Sequence, residues 1–147
     1  MQYLHAALTE TLRLYPAVPV DPKVCFSDDT LPDGFDIRAG EVIMFQPYPM
    51  GRMNYIWGED AEIFRPERWL DEKGTFCPQS PFKFTAFQAG PRMCLGKDFA
   101  YRQMKIFAAV LLRFFIFKLR NEEDAIGYKM TVTLFMNPGL HLHVFRR

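Results

Sequence analysis

Between Pro47 and Pro81 no long run of apolar residues repeats with a helical or strand period. Proline, glycine and aromatic residues are scattered through the stretch, and each proline removes a backbone donor and fixes its own φ. A connection of that length in a compact domain is either functional or disordered. Its aromatic residues, Tyr48, Tyr55, Trp57, Phe64 and Trp69, favour a packed and ordered segment, with Trp57 and Trp69 as packing residues. A helical turn is expected at Asp60–Phe64.

Regular structure is therefore expected on either side of this segment. Met1 to Leu14 reads as a helix stopped by Pro16, with Leu4, Leu8, Leu12 and Tyr15 on one stripe. Short strands are expected at Lys23–Phe26 and Glu41–Gln46, and "LPDG" (Leu31–Gly34) signals a turn. The longest helix is expected from about Lys97 to Phe117, with Phe99, Ile106, Phe107, Val110, Leu111 and Phe114 as its apolar stripe. The run Ile106–Phe117 contains Arg113 and falls short of the roughly 20 apolar residues of a membrane span, so it reads as a buried core helix. The tail reads as a hairpin of strands Tyr128–Met136 and Leu140–Phe145 joined by "NPG" (Asn137–Gly139).

Composition narrows the function. The 147 residues suit one domain, 49% hydrophobic content allows a core, and 16% aromatic content suits a wide apolar interior or a flat apolar ligand. A net charge of +1 gives no nucleic-acid footprint and no polybasic membrane patch. "MQYLHAALTETLRLYP" has no apolar run of the signal-peptide kind. The three cysteines, Cys25, Cys77 and Cys94, form no CxxC pair, and their odd number argues for free thiols in a reducing compartment.

Cys94 stands apart. It is fenced by Gly90, Pro91, Arg92 and Gly96 and directly precedes the long helix. A thiolate at a helix N-terminus gains from the dipole, and glycines let the backbone turn tightly against a ligand. Backbone N–H groups aimed at the sulfur would temper its charge, as an iron–thiolate bond requires. Three readings compete. A lone cysteine is usually a buried structural residue. "GPRMCLGKD" matches the GxxxxGK phosphate loop from Gly90 to Lys97, but Asp98 stands where Ser or Thr should hold magnesium. A cysteine-phosphatase loop would need arginine where Ala100 stands. The third reading is an axial haem thiolate.

"FQAGPRMCLG" (Phe87–Gly96) resembles the FxxGxRxCxG signature of the cytochrome P450 haem-thiolate monooxygenases, matching at Phe87, Gly90, Arg92, Cys94 and Gly96. "ETLR" (Glu10–Arg13) resembles the family's ExxR motif and "FRPERW" (Phe64–Trp69) its PER element, in the family's order. The resemblance covers essentially the whole chain. It implies a mainly α fold with small β-sheets, the proximal, haem-ligand C-terminal part of the family fold. It also implies that residues 1–147 are a partial domain, with a membrane anchor, early helices and the oxygen-handling central helix lying upstream.

By that resemblance Cys94 is the axial ligand of haem b and Arg92 pairs with a propionate. Phe87 packs beside the sulfur, and Gly90 and Gly96 shape the loop. Lys23 stands where many members carry a second propionate-binding arginine, though lysine gives a point charge rather than a fork. Glu10, Arg13 and Arg68 form a buried network on the cysteine side. Val18, Val20, Phe135 and Met136 border the substrate, near a hairpin tip expected at Phe135–Asn137. "YPMGRMNYIWGEDAEIFRPERW" and "LYPAVPVDPK" resemble the plant long-chain fatty-acid ω-hydroxylase clan. The implied partners are a fatty-acid-like substrate and an NADPH-cytochrome reductase, so that NADPH acts only indirectly, at the cytosolic face of the endoplasmic reticulum. A second reading stays open: a truncated chain that completes no haem pocket and catalyses nothing.

Overall fold

The computed structural model describes residues 1–121 and 127–147. Helix α1 (Gln2–Leu14) ends where the Tyr15 N–H donates to the Thr11 carbonyl, one residue before Pro16. Its buried side is Ala6, Thr9, Glu10, Arg13 and Leu14, whereas Leu4, Leu8 and Leu12 are half-buried and Tyr15 is exposed. A polar stripe thus takes the most enclosed face, because each of its groups finds a partner there.

Strand β1 (Asp21–Val24) follows, then β2 (Asp29–Thr30), β3 (Asp36–Ile37) and β4 (Val42–Phe45). β1 pairs antiparallel with β4, in register from Asp21–Phe45 to Val24–Val42. β2 pairs with β3 across the Leu31–Gly34 turn, where the Gly34 N–H donates to Leu31 and glycine accommodates φ +88°. Two short helices, α2 (Pro47–Met50) and α3 (Asn54–Trp57), and a 3-10 turn at Pro66–Trp69 occupy the proline-rich middle. At Asp60–Phe64 the chain makes only tight turns, and the helical pieces flank it on both sides.

This middle segment is wrapped into the core. Trp57, Ala61 and Trp69 pack on Ala6, with Trp69 only 1% exposed. The Trp57 and Trp69 rings lie 5.6 Å apart, and Phe84 meets Trp69 edge-on at 5.1 Å. Gly51 lies so close to α1 that a Cβ there would collide with the Arg13 carbonyl.

Helix α4 (Lys97–Phe114) packs against α1 through Tyr101, its one buried residue. The Tyr101 hydroxyl lies 3.0 Å from that of Thr9, which itself donates to the His5 carbonyl. The expected apolar stripe of α4 is not buried: Phe99, Ile106, Phe107, Val110, Leu111 and Phe114 are all exposed, Ile106 and Phe107 by more than 60%. No described element covers that face, so the helix is not the enclosed core helix its composition suggests.

The helix also stops three residues before Phe117. Phe115–Leu119 form strand β5, whose aromatic and β-branched residues pair antiparallel with β8 (Leu142–Arg146). Strands β6 (Gly127–Met130) and β7 (Leu134–Asn137) pair with each other around a turn at residues 131–133. The expected tail hairpin is therefore wrong in its partners. Its first strand folds back on itself, its second pairs with the end of the α4 segment, and "NPG" connects the two sheets.

Candidate functional site

The Cys94 loop is built from a short set of backbone bonds. The Gln88 N–H donates to Thr85 at 2.9 Å, Met93 to Gly90 at 3.1 Å, and Cys94 to the Phe87 carbonyl at 2.9 Å. Gln88 and Gly90 both adopt left-handed φ, +62° and +68°, and a 3-10 turn spans Gly90–Arg92. Left-handed geometry costs glycine little and a branched residue much more. Gly96 caps α4, and a Cβ placed on it would rest 3.8 Å from the Cys94 sulfur. The Cys94 side chain is exposed, not a buried structural cysteine. Among the described residues no N–H donates to the sulfur. The Cys94 amide itself is spent on closing the loop, and the Lys97 N–H goes to the Cys94 carbonyl at 3.3 Å.

Phe87 anchors the base of this loop. Its ring packs on Tyr101 at 5.3 Å and on Phe84 at 6.5 Å. Through Phe84 it joins Trp69, whose indole N–H donates to Glu10 Oε2 at 2.9 Å. The loop and the charged centre of α1 thus share one aromatic wall.

At that centre Glu10 accepts from five directions. Arg13 Nε and Nη2 reach its two oxygens at 2.7 and 2.8 Å, and Arg68 Nε reaches Oε1 at 2.8 Å. The Arg65 amide adds 2.9 Å, and Trp69 completes the set. Arg13 also donates to the carbonyls of Gly51, Ala61 and Ile63. The Glu10 and Arg13 side chains are 0% exposed. Burial alone would raise the Glu10 carboxyl. Donation from Arg13, the Arg65 amide, Trp69 and Arg68 outweighs burial and holds the group below its ordinary range. The structure brings Glu10, Arg13 and Arg68 into one network that also includes Trp69 and the Arg65 backbone, partners the motif alone does not reveal.

On another side of the loop, Lys23 and Arg92 line a cavity of about 390 Å³ with Phe45, Met50, Phe82 and Pro91. Two cations around an apolar lining suit a flat apolar group with anionic edges, and Cys94 itself is not in that lining. Lys23 is already engaged: its Nζ lies 2.9 Å from Asp21 and 3.5 Å from Gln88 Oε1, while the Gln88 amide donates to Asp21. Asp21 and Gln88 were not singled out from the sequence. The left-handed turn that brings Gln88 back to β1 has no signal at a glutamine, and nothing in the sequence marks Asp21 for burial.

Val18, Val20, Phe135 and Met136 are not in the lining of that cavity. Their segments do meet, since the Leu134 N–H donates to the Ala17 carbonyl at 3.0 Å and the Tyr15 and Tyr128 rings stack at 5.2 Å. Phe135 and Met136 are exposed strand residues of β7, and the tip of that hairpin is at residues 131–133, not at Phe135–Asn137.

Known proteins similar in sequence to this chain are numerous. Cytochrome P450 704C1 of Pinus taeda is 59% identical over the whole chain, which covers 28% of that relative's length. Cytochrome P450 704B1 of Arabidopsis thaliana is 56% identical, again over the whole chain and 28% of the relative. Noroxomaritidine synthase 2 of Narcissus aff. pseudonarcissus is 43% identical over 99% of the chain and 28% of its own length. The family model Cytochrome P450 matches residues 1–144, and with the loop, the Glu10 network and these identities in agreement, the chain belongs to the cytochrome P450 family.

Proposed function

We propose that residues 1–147 supply the ligand-bearing side of a haem-thiolate monooxygenase. Members of this family carry haem b. Cys94 is the axial iron ligand in this reading, with Arg92 and Lys23 as propionate partners. Gly90 permits the left-handed turn of the loop, Gly96 caps α4 beside the sulfur, and Phe87 fixes the loop. One observation carries it: an exposed cysteine sulfur on a glycine-bounded loop whose Gln88, Ala89, Pro91 and Arg92 line an apolar cavity together with Lys23. Bound haem supplies the iron chemistry by which molecular oxygen and reductase electrons place a hydroxyl on carbon. This chain's own residues hold the sulfur in place, neutralise the anionic edge and keep the Glu10 network rigid behind the loop.

The substrate class we infer is a long-chain fatty acid hydroxylated at its terminal carbon, with Val18, Val20, Phe135 and Met136 at the substrate's border. The support is the resemblance of Tyr48–Trp69 to the fatty-acid ω-hydroxylase clan. A relative named for a different product, noroxomaritidine synthase 2, is 43% identical over 99% of the chain. Electrons come from NADPH through a cytochrome reductase, at the cytosolic face of the endoplasmic reticulum. Among the described residues no helix is long and apolar enough to cross a membrane.

A second reading is favoured by the open apolar side of α4. Among the described residues nothing packs on that face, and in this reading the chain alone completes no haem pocket. Titration of the purified chain with haem separates the two. Saturable binding weakened in Cys94→Ser, and unchanged in Cys25→Ser and Cys77→Ser, supports the ligand assignment. Binding that ignores all three substitutions removes it for the isolated chain and leaves the second reading.

A further inference from the structure

A larger cavity, about 680 Å³, lies between α1, the Trp69–Phe87 segment and α4. It falls inside the roughly 300–1,000 Å³ range of small-molecule sites. Phe87 and Met93 of the ligand loop form part of its wall, but Cys94, Arg92 and Lys23 do not line it. Its walls are flat and aromatic. The His5 ring stacks on Phe76 at 4.0 Å, and Phe84 and Tyr101 close the sides.

Its charges come from one helix. Lys97, Arg102 and Lys105 all line the cavity, against a single acid, Asp98. Lys97, Tyr101 and Lys105 recur every fourth residue and so share one side of α4. The half-buried Arg52 and Lys83 rest over aromatic rings, whereas Arg13, Arg65, Arg68 and Lys23 each sit within 4 Å of a carboxylate. Among the described residues none of the three cavity cations does, although Lys97 and Lys105 are half-buried. Half-buried cations without a counter-charge favour an anion that would complete them. His5 senses the same field: burial first, then Lys105, Lys97 and the N-terminal amine push its imidazole toward the neutral form.

We infer that this cavity binds a small aromatic anion, an aryl carboxylate or sulfonate, with its ring against Phe76 and Phe84 and its charge at Lys97, Arg102 and Lys105. A bare phosphate would leave the aromatic walls unused, and a neutral ring would leave the cations unpaired. The cavity shares Gln88 with the one that Arg92 and Lys23 line, but its three cations lie outside that lining, so the inference is tested independently of the haem reading.

The test uses naphthalene-2-sulfonate as probe, followed by calorimetry and by Trp69 fluorescence. Naphthalene-2-sulfonamide is the neutral control, and far-UV circular dichroism checks that each variant is folded. Expected is saturable one-to-one binding that weakens by about tenfold or more in Lys97→Gln/Lys105→Gln, where two charge-assisted contacts are lost. Binding should be unchanged in Phe107→Gln, on the open face of α4, and in Cys94→Ser. The His5 titration midpoint, read by NMR, should rise when the anion is bound. Equal binding of the neutral sulfonamide would overturn the inference. So would loss of binding in Phe107→Gln with retention in the lysine double variant, or no saturable binding at all.

Discussion

The inner side of α1 and the outer side of α4 invert the usual arrangement of a protein surface. On α1, Glu10 and Arg13 are fully enclosed, with Arg68 nearly so. On α4, Ile106, Phe107 and Phe114 stand more than half exposed. The charges tolerate burial because every one of them is met: two guanidinium groups, an amide N–H and an indole N–H converge on one carboxylate. The apolar residues stay exposed because no described part of the chain reaches them, and the chain spans 28% of the length of the Pinus taeda and Arabidopsis thaliana relatives. Local satisfaction therefore makes one face self-sufficient, while the other is a surface whose partner is not among the described residues.

The largest expected effect breaks the self-sufficient face. Glu10→Gln leaves Arg13 buried without a counter-charge and Arg68 with Asp60 alone, and should cost about 3–5 kcal/mol, read as a fall in the urea midpoint. That is a large part of the roughly 5–15 kcal/mol a domain possesses. The same carboxylate sets an acid limit. Its folded pKa is lowered, so its stabilisation is fully present above the ordinary carboxylate value and is lost as pH falls through the lowered one. Thermal unfolding against pH should show that acid limb, and Glu10→Gln should flatten it. Trp69→Phe keeps most of the packing and removes one donor to a buried charge, for an expected loss of about 1.5–3 kcal/mol.

Smaller effects sharpen the contrast. Lys23→Ala removes a partly exposed ion pair, and the Gln88 amide remains on Asp21, so stability should change by no more than about 1 kcal/mol. Ile106→Gln/Phe107→Gln on α4 should alter unfolding by about 0.5 kcal/mol or less, while reducing self-association in sedimentation velocity. A large destabilisation by that double variant would mean that the α4 face is covered after all.

Much of the ligand loop was legible because its constraints are local. Glycines at fixed intervals, a proline, an arginine and one cysteine leave few backbone paths, and Gly90 does adopt left-handed φ. The Leu31–Gly34 turn and the two strands that form the β1–β4 pair were legible for the same reason, the strands within one or two residues at each end, whereas the two-residue strands β2 and β3 carried no signal. The tail was not. "NPG" is a stronger turn signal than "TVT", yet the turn forms at residues 131–133, because β8 is claimed by β5, a partner distant in sequence. Phe115–Phe117 continue a helical composition and become strand for the same non-local reason. The burial of α4 was misjudged because an apolar stripe states what a helix needs, not whether its cover lies within the same 147 residues.

The most direct measurement is the absorption spectrum, reduced under carbon monoxide, of the Pinus taeda relative with residues 1–147 grafted over its matching span. A strongly red-shifted Soret band that disappears in Cys94→Ser is the result expected if Cys94 is the thiolate ligand. A red-shifted band that survives Cys94→Ser would contradict the assignment on which the functional proposal rests.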